Sequence, residues 1–287
     1  EDSVYVQFTN GETVHLARGG NALSTLSFMT DGRLMALSGN KFIAIDLSNG
    51  TREELLSWAF KDAPEAVEPA KDYIAKQQQS LVEYIKLQRK NRQDKDKAHK
   101  ALANENKSVA PTPFYFDKSH RLAGISVSPA GNYAVVATTE SKPSRDDTDI
   151  MPHYIQEDSR IAAKPVRQRV ADAEPVNQVL WLLNLKTGEK NELKYFNLPG
   201  YNDDVLANVK AENAEAKGES YEVNRLPRDI TLLQSWYWTK PSIRWHKNGN
   251  AVAVMLEAWD NKDRWIATID LANKTLENQH WLHDDAW

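Results

Sequence analysis

The chain has 287 residues, 41% of them hydrophobic and 26% charged, with a net charge of −4. That is enough apolar material for a packed core, and the wrong sign of charge for general attraction to nucleic acid or an anionic membrane. It has no cysteine, which excludes disulfides, thiolate nucleophiles and Cys-ligated zinc, and no apolar run nears the ~20 residues of a membrane span.

Ser3 to Phe8 alternate as a strand from the start, ahead of an Asn10-Gly11 turn and a short strand carrying Leu16. No basic and apolar leader precedes them, so the chain is expected to begin inside a structural unit. Leu26–Leu37 then read as strand, Gly32-centred turn and strand, followed by a third strand Phe42–Ile45, the Asp46 to Gly50 turn and a last strand with Leu55. The same wording returns at Ile125–Val136 around Gly131, with Leu180–Leu183, the Asn184 to Gly188 turn and Leu193. It returns again at Ile243–Val254 around Gly249, with Trp265–Ile269 and the Asp270 turn. Asp31-Gly32, Asn49-Gly50 and Asn248-Gly249 are hairpin signals, because glycine supplies the positive φ such turns require. Self-similarity of this kind marks a repeat architecture.

Three insertions separate the repeats. Residues 58–109 read as helical: Ile74, Leu81 and Ile85 share one face with Val67 before them, Pro64 and Pro69 bracket the start, and Pro111 and Pro113 stop it. Lys86, Arg89, Lys90, Arg92, Lys95, Lys97 and Lys100 are interrupted by Asp94 and Asp96, and Tyr84 is the last aromatic before them. The stretch reads as a solvated helix face, since single-strand nucleic-acid binding calls for interleaved aromatics. An arm over about 140–176 interrupts the second repeat, and a polar segment over about 195–230 carries a short helix at Asp203–Ala216.

Four short strands per unit describe a propeller blade; a β-sandwich with Asp-Gly turns is the alternative. Blades take ~40–45 residues. Without the insertions, the chain supplies about three whole blades and part of a fourth, divided as 1–57, the helical insertion 58–109, and 110–287. The expected fold is therefore all-β, a partial propeller with a long α-helical insertion. An open propeller segment exposes unpaired sheet edges, so a homodimer or domain swap is expected, and a strictly monomeric sedimentation result would count against it.

Trp259 to Ile266, the Asp270 turn and His283 to Trp287 resemble the propeller of the prolyl oligopeptidase family, in particular its bacterial dipeptidyl-peptidase-IV-like branch. Met151 to Ile155, Arg160 and Pro165 to Arg167 resemble the arm that interrupts an early blade there. The resemblance implies a non-catalytic propeller that gates and orients peptide substrates for an α/β-hydrolase domain carrying a Ser-Asp-His triad, in a periplasmic or secreted peptidase. The nearest string to a nucleophile elbow, Gly124 to Ser128, lies in a repeat strand and does not end in Gly; the triad is expected outside this chain. The resemblance also implies that acidic arm residues bind a substrate α-amino group. Glu157 and Asp158, with Arg160, are the candidates, although they depart from the family's double-Glu pattern.

Trp236 and Trp238 precede the third repeat and are candidates for ligand contact, whereas Trp245 occupies a core repeat position. His280 and His283 with Asp284 and Asp285 read as a blade edge. Arg145 to Asp149 lack the Gly and Glu of an EF-hand loop. No metal, cofactor, nucleic-acid partner or membrane span is expected. The rival readings are a stand-alone propeller scaffold of TolB-like or WD-repeat-like type, and a propeller enzyme with a site in its central channel, for which the repeats offer no converging carboxylates or histidines.

Overall fold

A computed structural model describes residues 3–18, 23–64, 72–105, 110–141, 150–165, 174–233 and 241–284. β1 (Ser3–Gln7) and β2 (Thr13–Arg18) form a hairpin. β3 (Leu23–Phe28), β4 (Leu34–Ser38), β5 (Lys41–Ile45) and β6 (Arg52–Phe60) follow as an antiparallel meander. After helices α1 (Tyr73–Leu81) and α2 (Glu83–Glu105), β7 (Phe114–Phe116) returns to pair in parallel with β6. β8 (His120–Val127) and β9 (Tyr133–Glu140) precede a separate hairpin, β10 (Ile150–His153) and β11 (Ala162–Pro165). β12 (Gln178–Asn184) and β13 (Glu189–Leu193) then complete a four-stranded sheet in the order β8-β9-β12-β13. Beyond α3 (Ala207–Ala216), β14 (Ile230–Leu232) and β15 (Ile243–Trp245) both pair with β16 (Val252–Ala258), which is followed by β17 (Asp263–Asp270) and β18 (Thr275–His283). The protein is mostly β, in several sheets.

The three repeated phrases fall in three different sheets and pair within themselves. Phe28 opposes Leu34, Val127 opposes Ala134 and Trp245 opposes Val252. Their turns use Gly32, Gly131 and Gly249 at φ +85°, +68° and +73°. The side chains of β9 alternate between two cores, as the pleat requires. Ala134 and Val136 join Met35, Phe42 and Leu56 on one face; Val135 and Ala137 join Val252, Val254 and Leu256 on the other. In the preceding sheet Leu34, Ala36, Ile43 and Ile45 face Val4 and Val6 of the first hairpin. The sheets therefore stack in chain order, each inner sheet buried on both faces. Every fully buried Leu, Ile or Val there contributes about 1.5–3 kcal/mol relative to exposure.

Neighbouring sheets are also tied through their turns. A Cβ on Gly131 would lie 2.7 Å from Met29 Cε, and one on Gly249 would lie 2.7 Å from the backbone nitrogen of Ala130. The Thr30 N–H donates to the Pro129 carbonyl at 2.9 Å. At the same end of the strands, beside these turns, Asp46, Asn184 and Asp270 accept the N–H of the residue two positions on at 2.8, 3.0 and 2.8 Å. This Asx turn is the physical reason an acidic or amide residue closes each repeat.

The structure departs from the sequence reading in the insertions. β6 continues to Phe60, into the expected helical insertion 58–109, and β7 adds a fifth, parallel strand to a unit expected to have four. Ile74 and Ile85 are 68% and 51% exposed, so the expected apolar helix face is not buried there. Val67 and the Leu81 side chain lie outside the described residues. Trp245 is half-buried at the margin of the core.

Candidate functional site

β3, β8 and β15 lie on the same edge of their respective sheets, and each edge is irregular at nearly the same height. In the first sheet Ser24 opposes Leu37 and Ser27 opposes Met35, so Thr25 and Leu26 share one partner position. Thr25 takes φ +52°, a conformation that β-branched residues rarely adopt. In the second, a bulge falls between Leu122 and Gly124. In the third, two separate segments meet β16 at one residue: the Leu233 N–H bonds the Met255 carbonyl (2.9 Å), and the Ser242 carbonyl accepts the Met255 N–H (2.8 Å). Bulges of this kind re-aim side chains beside functional sites.

These interruptions converge on one cavity of about 700 Å³, lined among others by Thr25, Leu26, Ser126, Leu233 and Ser242. Gly124 lies where β8 approaches β14: a Cβ there would lie 2.8 Å from Leu232 Cδ1, so that side chain would have to shift. Two side-chain amides close the wall between the last two sheets. Gln178 Oε1 accepts the Leu232 N–H at 3.0 Å and Asn177 Oδ1 accepts the Ile230 N–H at 3.1 Å. The buried Tyr195 hydroxyl donates to the Gln178 carbonyl at 2.8 Å, and burial pushes its pKa upward. A second cavity of about 500 Å³ shares Ala123 and Gln178 with the first and adds Arg121, Thr139, Glu257 and Trp259. Together they offer backbone edges, hydroxyls, the Gln178 amide, the Arg121 guanidinium and the Glu257 carboxylate beside apolar walls. Such a lining suits an extended polar chain rather than a metal. Among the described residues, no group of three or more His, Cys, Asp or Glu is placed to hold one.

The residues singled out in the sequence lie elsewhere. Glu157, Asp158 and Arg160 sit together on the connection between β10 and β11, all exposed. Asp158 Oδ1 accepts the Arg160 N–H at 3.0 Å, and Ser159 between them takes φ +58°. They line a depression of about 570 Å³ with Ile155 and Ile161, and none lines the two inner-edge cavities. Trp236 and Trp238 lie outside the described residues; Leu233 and Pro241, on either side of that segment, line the larger cavity.

Sequence reasoning missed Arg228. Its side chain is 7% exposed and holds Asp260 through two bonds, Nε to Oδ2 at 2.9 Å and Nη2 to Oδ1 at 2.5 Å, while Nη1 reaches Asp263 Oδ2 at 2.5 Å and the Gly200 carbonyl at 3.0 Å. Burial acts to lower the Arg228 pKa, but the bonds to Asp260 and Asp263 outweigh it and the net shift is upward. The Asp263 carboxylate, itself fully buried, also accepts from Trp281 Nε1 at 2.5 Å and pairs with His283 Nδ1 at 2.8 Å. Trp265 Nε1 donates to the Pro199 carbonyl at 2.9 Å. The stretch Trp259 to Ile266 is thus a clamp holding the 195–229 segment to β17 and β18. Arg228 lies in a polar segment with no periodicity, so no local signal announces it.

No protein-family profile and no curated protein matches the chain. Solved structures similar to it include a Bacteroides ovatus protein assigned as a dipeptidyl aminopeptidase IV, with 7% identity and a TM-score of 0.38, covering 99% of this chain and 29% of that one. Another is an oligogalacturonate lyase in complex with manganese, with 10% identity and a TM-score of 0.30, covering 97% of this chain and 58% of that one.

Proposed function

We propose that the chain is an open segment of a β-propeller and the non-catalytic part of a serine exo- or oligopeptidase, gating and orienting peptides for an α/β-hydrolase domain. The supporting observation is the convergence of interrupted first strands from successive sheets on one cavity. In a propeller, first strands line the axis. Exposed strand edges offer main-chain hydrogen bonds to any extended peptide, whatever its sequence. A cavity of about 700 Å³ admits a peptide segment and excludes a folded domain. In this reading the parent protein is periplasmic or secreted, and the nucleophile belongs to the hydrolase domain.

Calorimetric titration with a proline-containing peptide tests the reading. Leu26, 48% exposed and lining the cavity, is the site for disruption; Phe28, 63% exposed on the same strand and outside the lining, is the control. Leu26→Asp is expected to weaken peptide binding by about tenfold or more, with Phe28→Asp leaving it unchanged and neither variant cleaving a dipeptide reporter. Absence of binding by the folded chain would defeat the reading, as would turnover abolished by replacing one of its own serines.

A further inference from the structure

We infer that α2 is a docking element for the surface of an anionic lipid bilayer. The helix carries seven basic residues against four acidic ones in a chain whose net charge is −4. Its charge is also arranged. At 100° per residue, Lys86, Arg89, Lys90, Lys97 and Lys100 fall within an arc of about 100° and run along about 21 Å of helix. Arg92 and Lys95 lie on the opposite half, and Asp94 and Asp96 border the arc on either side. Gln93 fills the one gap in the row.

Every residue of α2 whose side chain is described is exposed, apart from the half-buried Arg89. Its principal packing partner is α1, not a sheet. A helix with a mean hydropathy this polar and this little tertiary contact gains almost nothing from a core. Lys86, Lys90, Lys97 and Lys100 of the row are exposed, where they can meet a partner of opposite charge. Ile85 and Leu87, 51% and 56% exposed, flank the first turn of the row, where they would enter the headgroup layer.

A flat bilayer fits this geometry better than a nucleic acid. A straight row can lie along a plane over its whole length. No aromatic ring lies within the arc to stack on bases. Tyr84 lies off the arc, and its hydroxyl accepts a bond from the Gln88 amide at 2.7 Å. Clustered Lys and Arg on a helix are a recognised basis for attraction to anionic headgroups, and the attraction is screened by salt.

The test is co-sedimentation of the 287-residue chain with vesicles. Vesicles containing phosphatidylglycerol should retain it at low ionic strength and release it as salt rises, and phosphatidylcholine vesicles should not retain it. The triple variant Lys86→Glu, Lys90→Glu, Lys97→Glu should bind about a hundredfold more weakly. The off-row pair Arg92→Glu, Lys95→Glu should lose much less, with circular dichroism unchanged in both. No retention on anionic vesicles at low salt would overturn the proposal. So would equal losses from the on-row and off-row variants, or tighter binding of duplex DNA than of vesicles through the same lysines.

Discussion

β9 and α2 are long elements of the same chain with opposite surroundings. β9 is buried from Ala134 through Thr139, between two cores. α2 has no buried residue among those whose side chains are described. In the stack, neighbours on both faces dictate each position, so the same wording must recur wherever a sheet recurs. In α2 the described side chains are exposed apart from the half-buried Arg89, so composition there answers mainly to solvent or to a partner. Stability and repeat identity therefore belong to the stack, and the excursions are open to acquire other roles.

The sharpest way to break that comparison is to cut the clamp at the end of the stack. Arg228→Ala leaves the fully buried Asp263 carboxylate without its cation and is expected to cost about 3–5 kcal/mol, read as a lower urea midpoint. Next come the turns. Gly249→Ala combines a positive φ of +73° with a Cβ 2.7 Å from a backbone nitrogen, whereas Gly32→Ala at φ +85° meets nothing within 4 Å. The open turn should lose about 1–2 kcal/mol and the packed one clearly more; equal losses would mean the sheets do not bear on each other there.

A smaller effect is expected in acid. The Lys210 ammonium at 2.7 Å, the Tyr221 hydroxyl and the Asn224 N–H hold the Asp204 pKa down at about 2. A depressed carboxylate stabilises the fold above its unfolded value of about 3.9. Its contribution should be complete above that pH and decline as the pH falls towards 2. Denaturation curves across this window should show the decline, and Asp204→Asn should remove that component. The smallest effect belongs to α2, where Arg92→Ala and Lys95→Ala should each change stability by no more than about 0.5 kcal/mol.

The same contrast explains what could be read in advance. The strand, glycine-turn and strand wording was legible because burial on two faces and a positive φ leave few residue choices. The closing Asp46, Asn184 and Asp270 were legible because each accepts a bond from its own turn. The bulge at Thr25 and Leu26 was not, since the strand pattern carries no mark of a skipped partner. Arg228 finds Asp263 across 35 positions of sequence, beyond any periodicity. β7 is a Phe114–Phe116 strand too short to show alternation. Ile74 and Ile85 display helical spacing but are exposed: spacing marks a face and does not supply its partner. Glu157, Asp158 and Arg160 do share one turn, as their adjacency implies, yet the arm does not carry them to the inner-edge cavities.

The central claim, that sheets built from one recurring phrase stack in chain order, is open to direct measurement because the chain has no cysteine to remove. Ser48, Lys186 and Ala272 occupy the same exposed position after Asp46, Asn184 and Asp270. Cysteines placed there in pairs and spin-labelled give three distances by pulsed electron resonance. Stacking in chain order requires the 48–186 and 186–272 distances each to be shorter than 48–272. A 48–272 distance shorter than either would mean that the first and last repeats lie against each other in two layers, and would contradict the claim.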